Sequence, residues 1–143
     1  MIKSYLIIIV FALVLAFVIG FQVLNKFSEP VTRTFDLKLQ TNNEGPVTVT
    51  VSPRKSTNAD TLEFEIILET HSVELSEDLI KSAVLTANNK NYEPIAWDGD
   101  PPGGHHRSGI LKFKSIFPQQ KSMTIKIYRV GGIEERNFTW QFK

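Results

Sequence analysis

The stretch Trp97-Asp98-Gly99-Asp100-Pro101-Pro102-Gly103-Gly104-His105-His106-Arg107-Ser108-Gly109 gathers most of the side chains in this protein that could do chemistry. It holds two of the three histidines; the third, His71, follows Glu69-Thr70. Imidazole suits Cu(II), Zn and Ni, and Asp98 or Asp100 can add an oxygen ligand or steady a ring nitrogen from behind. The chain has no cysteine, which excludes blue copper, thiolate zinc sites, disulfides and a Cys nucleophile. A metal site must therefore be built from imidazole and carboxylate. His71, His105 and His106 are the expected ligands, with Cu first and Zn second as the ion. Neighbouring histidines point to opposite faces of an extended strand, an objection that a Gly-rich loop relaxes.

Two other readings of the same stretch stand beside this one. In the first it is structural: the histidines bond to backbone carbonyls, and Arg107 pairs with Asp98 or Asp100. In the second, the amides of Gly103 and Gly104 join His105, His106 and Arg107 in a nest for a carboxylate, a phosphate or a protein partner. Pro101 and Pro102 stiffen the segment, while the glycines permit positive φ and close backbone approach. Hairpin loops usually take about 2–5 residues, and longer ordered loops are where binding groups concentrate. An enzyme is not expected. Ser108 lies near His106 in sequence, but no orienting acid or oxyanion hole can be named for them.

Elements that position these residues are legible as period-two alternation, the mark of half-buried strands. Phe35, Leu37 and Leu39 alternate with Asp36 and Lys38; Val47, Val49 and Val51 alternate with Thr48 and Thr50. Leu62, Phe64, Ile66 and Leu68 around Glu63 and Glu65 give the strongest pattern. Further strands are predicted at Ala83–Ala87, Tyr92–Trp97, Leu111–Phe113, Met123–Ile127 and Phe138–Phe142. Turn chemistry separates them at 41–46, 53–60, 88–91, 98–109, 118–121 and 131–135. One short helix is predicted at Ser76–Lys81, with Ser76 as its N-cap and Glu77 and Asp78 in the first turn. About eight strands at this spacing predict an all-β fold, an immunoglobulin-like or cupredoxin-like antiparallel sandwich. Asn137-Phe138-Thr139 matches a glycosylation sequon but falls in a predicted strand.

Ahead of these strands, Ser4–Asn25 is a run of 22 residues without a charge. At about 1.5 Å per residue it reaches roughly 33 Å, enough for a hydrocarbon core of about 30 Å. Lys3 and Lys26 bracket it, and Tyr5, Phe21 and Phe27 lie near its ends as interfacial anchors. It exceeds the roughly 7–15 apolar residues of a cleaved signal peptide, and no A-x-A-like site follows. The expected organisation is a transmembrane anchor at 1–27, a Pro30-containing linker at 28–33 and an extracytoplasmic domain at 34–143. The protein is thus expected in the cell membrane as a single span, with the N-terminus cytoplasmic.

Charge excludes one class of partner. A net +1 over 143 residues lacks the basic surplus of a nucleic-acid binder. Within the domain the balance is uneven: 28–104 carries 6 basic and 13 acidic side chains, a balance of −7, and 105–143 carries 8 and 2, a balance of +6. Opposed patches for a partner are one reading. The simpler one is complementary charge across paired strands, as Glu63 and Glu65 would have with Lys112 and Lys114.

Thr70-His71-Ser72-Val73-Glu74-Leu75 together with Trp97-Asp98-Gly99 and Gly103-Gly104-His105-His106-Arg107-Ser108-Gly109-Ile110-Leu111-Lys112-Phe113 resembles a group of uncharacterised prokaryotic proteins. These are small membrane-anchored or secreted β-sandwich proteins with THSV and GGHH blocks. The resemblance spans roughly residues 60–143, implies the same fold and couples His71 to His105 and His106; it implies no activity. The leading expectation is a membrane-anchored sandwich that binds Cu or Zn without catalysis. The alternative is an envelope adhesion or assembly module whose Gly-Gly-His-His loop is scaffold or touches a protein partner.

Overall fold

In the strand Thr61–Thr70, the side chains of Phe64, Ile66, Leu68 and Thr70 are buried, while the residues between them face outward. That alternation organises the computed structural model, which describes residues 38–56, 58–116 and 121–141. The apolar run Ser4–Asn25, the linker and Phe35–Leu37 lie outside the described residues. Among the described residues no helix is long and apolar enough to cross a membrane.

Nine strands are described: β1 Gln40–Asn42, β2 Val47–Arg54, β3 Thr61–Thr70, β4 Ala83–Ala87, β5 Lys90–Tyr92, β6 Ala96–Gly99, β7 His106–Lys114, β8 Ser122–Tyr128 and β9 Glu135–Gln141. They form two antiparallel sheets, ordered β1-β2-β3-β7-β6 and β5-β4-β8-β9. The inward faces share one core. Val47, Val49 and Val51 of β2, Phe64, Ile66 and Leu68 of β3, and Leu111 and Phe113 of β7 come from the first sheet. Leu85 of β4, Ile125 and Ile127 of β8, and Phe138 and Trp140 of β9 come from the second. The sheets meet at Phe64 and Trp140, whose ring centres are 5.7 Å apart. A register slip of one residue would turn each of these faces to solvent, so the alternation itself specifies the pairing.

Among the described residues, the sandwich edge beside β9 is closed by side chains rather than by a strand. Gln40 donates from Nε2 to the Thr139 carbonyl (2.7 Å) and accepts the Thr139 amide on Oε1 (3.1 Å). Its carboxamide thus stands in for a peptide group against an open strand edge. Nearby, Arg136 of β9 is 1% exposed and spends its guanidinium on the Val130, Glu44 and Val47 carbonyls and on Asn42 Oδ1. Burial holds this guanidinium below its ordinary value, against the opposing pull of Glu44 and Glu77.

Several sequence expectations shift. The first described strand is Gln40–Asn42, overlapping the expected turn 41–46 at Thr41 and Asn42, and Leu39 is exposed. Tyr92–Trp97 is not one strand. Tyr92 pairs with Leu85 in the second sheet and Ala96 with Lys112 in the first, and Pro94, which has no amide to donate, lies at the crossing. The two-residue turn Asn88-Asn89, both at positive φ, is the tight hairpin form that asparagine tolerates, so Lys90 and Asn91 are already strand. The helix α1 is Leu79–Ser82, capped by Asp78 rather than Ser76, because Asp78 Oδ1 accepts the Ile80 amide. Outward charges do pair within the sheets: Arg54 with Glu65 at 2.8 Å, Lys112 with Asp98 at 3.4 Å and Lys126 with Glu135 at 3.1 Å. Glu63 lies opposite Lys112, as expected, while Lys114 lies opposite Thr61.

Candidate functional site

The long loop of the sequence reading is shorter in the fold. β6 runs through Gly99 and β7 begins at His106, so only residues 100–105 connect them. The reason is a pair of glycines. Gly99 and Gly109 lie opposite each other, and a Cβ on either would come within 2.7 Å of Trp97 Cζ2 and closer still to backbone. Side-chain-free backbone lets the two strands approach under the indole, and the indole nitrogen donates to the Asp100 carbonyl at 2.9 Å.

Beyond this point the loop is stitched to the segment after β3. Gly103 donates its amide to the Leu75 carbonyl (2.7 Å), Leu75 donates to the Gly104 carbonyl (3.0 Å), and Thr70 donates to the His105 carbonyl (2.9 Å). Arg107 completes the seam from inside. It is 2% exposed and donates to the carbonyls of Leu75 (3.1 Å), Glu77 (2.7 Å) and Asp100 (3.4 Å), with its guanidinium 5.9 Å from the Trp97 ring centre. Burial pushes it below its ordinary value, opposed by Glu77, Asp100 and Asp78.

Of the residues expected to form an anion or partner nest, Gly103, Gly104 and Arg107, the seam engages the Gly103 amide and the Arg107 guanidinium. The Gly103 amide is committed to Leu75, and the Arg107 guanidinium faces the interior because its position on β7 has the inward parity of Leu111 and Phe113. Asp98 and Asp100 are likewise engaged elsewhere. Asp98 reaches Lys112, and Asp100 Oδ2 accepts both the amide (2.7 Å) and the hydroxyl (3.3 Å) of Ser108. Ser108 therefore donates to a carboxylate rather than to His106.

His71 and His106 are brought together, their rings edge to face with centres 6.2 Å apart. Two residues do the positioning. Buried Thr70 donates its hydroxyl to the Pro46 carbonyl (2.8 Å) and accepts the Ser72 amide (3.3 Å), which fixes the chain on both sides of His71. Glu69 lies opposite His106 in the β3–β7 register, and its Oε1 is 3.8 Å from His106 Nδ1. At that distance the carboxylate lies beside the ring, beyond hydrogen-bond reach. An open cleft of about 350 Å³ borders the pair, lined by Pro46, Thr48, Glu69, Thr70, His71, Ser72 and His106.

His105 is exposed, does not line that cleft, and enters the seam through its carbonyl. Among the described residues, no three histidine, aspartate or glutamate side chains converge on a point where a metal ion could sit. Of the three expected ligands, His71 and His106 face each other and border the cleft, and His105 is not among its lining residues. Glu69 was missed by the sequence reading, although Glu69-Thr70-His71 carried the signal, since alternate residues of an extended segment share a face. The buried role of Arg136 was also missed; its parity with Phe138 and Trp140 marks it as inward.

Compared with protein-family models, with curated proteins and with solved structures, the chain matches none of them.

Proposed function

We propose that the protein is a membrane-anchored, extracytoplasmic β-sandwich of immunoglobulin-like topology that holds a copper or zinc ion, without catalysis, through His71 and His106. The strand order supports the topology. β2-β3-β7-β6 follows the A-B-E-D sheet of immunoglobulin domains and β4-β8-β9 the C-F-G sheet, with β5 added beside C and β1 beside A. The uncharged run Ser4–Asn25 supports the anchor.

The facing imidazoles carry the metal reading. In the stretch rich in chemistry, Trp97, Gly99, Asp100, Gly103, Arg107, Ser108 and Gly109 all have an internal task. His71 and His106 are exposed and face each other across an open cleft. Two imidazoles sharing an ion at about 2.0–2.1 Å per bond hold their ring centres roughly 5–6 Å apart, a small side-chain rotation from 6.2 Å.

Titration of the full chain in detergent with Cu(II), followed by electron paramagnetic resonance, tests this. Expected is one saturable signal with nitrogen splitting, weakened at least tenfold by His71→Ala or His106→Ala and retained in His105→Ala. Absence of saturable binding, or equal binding by the two critical variants, overturns the reading.

A further inference from the structure

We propose that His71 and His106 form half of a zinc site and that a second copy of this chain supplies the other half, so that the ion joins two molecules across a two-fold axis. This rests on the metal reading above and adds the partner. Closed zinc sites are tetrahedral with four protein ligands. Here one chain offers two imidazoles, and among the described residues nothing converges to make a third or fourth ligand. The described residues of one chain therefore leave the site incomplete. A two-fold interface presents the same patch from both sides, so two copies bring four imidazoles to one point.

The surroundings fit a second copy. The patch lies on the outward face of the first sheet, where Thr48, Glu69 and His106 are neighbours across β2, β3 and β7. The cleft lining contains no lysine or arginine; apart from the histidines and Glu69 it consists of Pro46, Thr48, Thr70 and Ser72, which present little bulk. Among the residues lining the cleft the formal charge is thus the Glu69 carboxylate. Two copies without metal bring two carboxylates together, which disfavours pairing. A divalent cation between them cancels that charge, so association is coupled to the ion. His106 and Glu69 are 67% and 54% exposed in their side chains, so both can reach a partner without opening the core.

Zinc alone, added to the full chain in detergent, is the test, read by light scattering for protein mass and by X-ray absorption for the ligand shell. Expected is saturation at half an equivalent of zinc per chain, a doubling of protein mass reversed by chelator, and a shell of four imidazole nitrogens. His71→Ala and His106→Ala should each abolish the doubling, while His105→Ala should retain it. Saturation at one equivalent with unchanged mass and two imidazoles would overturn the pairing and leave the metal reading standing. No saturable zinc binding would overturn both. The absorption measurement uses the unaltered chain, so it decides the question whatever the variants do to folding.

Discussion

Gly99 lies opposite Gly109 across β6 and β7, and Trp97 covers the gap that two Cβ atoms would otherwise fill. A Cβ at Gly99 would stand 2.4 Å from the Ser108 carbonyl, and one at Gly109 would stand 2.5 Å from Gly99 Cα. Those are backbone atoms of a paired strand and cannot give way as a side chain does. Gly99→Ala or Gly109→Ala should therefore destabilise by about 1–3 kcal/mol or more, the cost of overpacking. Adding Trp97→Ala should not rescue either variant, because the backbone clash remains. Urea unfolding of the single and double variants checks both statements.

Arg107 ties three carbonyls on two segments, so its loss should be felt as a broken seam and not as a lost surface charge. Arg107→Met leaves the carbonyls of Leu75, Glu77 and Asp100 without this donor. A cost of about 3 kcal/mol or more is expected, since hydrogen bonds to a charged group contribute about 1.5–3 kcal/mol each. Arg107→Lys should recover less than half of it, since an ammonium cannot reproduce the planar fork. Denaturant midpoints measure this. An Arg107→Lys variant as stable as the parent would show that charge, not geometry, holds the seam.

What could be read from the sequence follows from where each residue's partners lie. The inward sets of β2, β3, β4, β7, β8 and β9 were legible because burial on one face imposes period two within the strand itself. The break in Tyr92–Trp97 was not, because its two halves find partners in different sheets. Nor was the early start of β7: His106-Arg107-Ser108-Gly109 reads as loop by composition, yet Arg107 turns inward to carbonyls supplied by residues 75, 77 and 100. At the candidate site, His71 and His106 were legible by type. Their facing each other depends on the Glu69–His106 register, which no local pattern encodes.

Asp78 caps α1 and is held below its ordinary value of 3.8, first by its hydrogen bond with Lys81 and then by the Ile80 amide. A carboxylate lowered on folding contributes stability that is fully present above its unfolded value. That contribution is lost as pH falls through the folded value, below 3.8. Glu135, lowered by Asn137 and then by Lys126, adds to the same acid limb. Asp78→Asn preserves an N-cap acceptor while removing the titration. Its stability should thus lie somewhat below the parent near neutral pH, approach it once the Asp78 carboxyl is protonated, and change less steeply on acidification. Thermal melts from pH 2 to 6 check this; parallel acid limbs would show that Asp78 does not contribute.

Gln40 is the residue whose removal should expose a strand edge without touching the core. Its carboxamide engages both the amide and the carbonyl of Thr139, on the side of β9 away from β8. Gln40→Ala gives up two hydrogen bonds at an exposed edge, about 1–2 kcal/mol. The sharper readout is local: the Thr139 amide should exchange with solvent roughly five to thirty times faster in that variant. The Ile125 amide, in the strand between β4 and β9, should keep its protection if global stability stays well above the local opening energy. Gln40→Glu keeps the acceptor for the Thr139 amide but sets a second oxygen against the Thr139 carbonyl, so its protection should be intermediate. Unchanged exchange at Thr139 in Gln40→Ala would mean that this edge is closed by Arg136 and Trp140 alone, the other β9 side chains that bond across to residues 38–47.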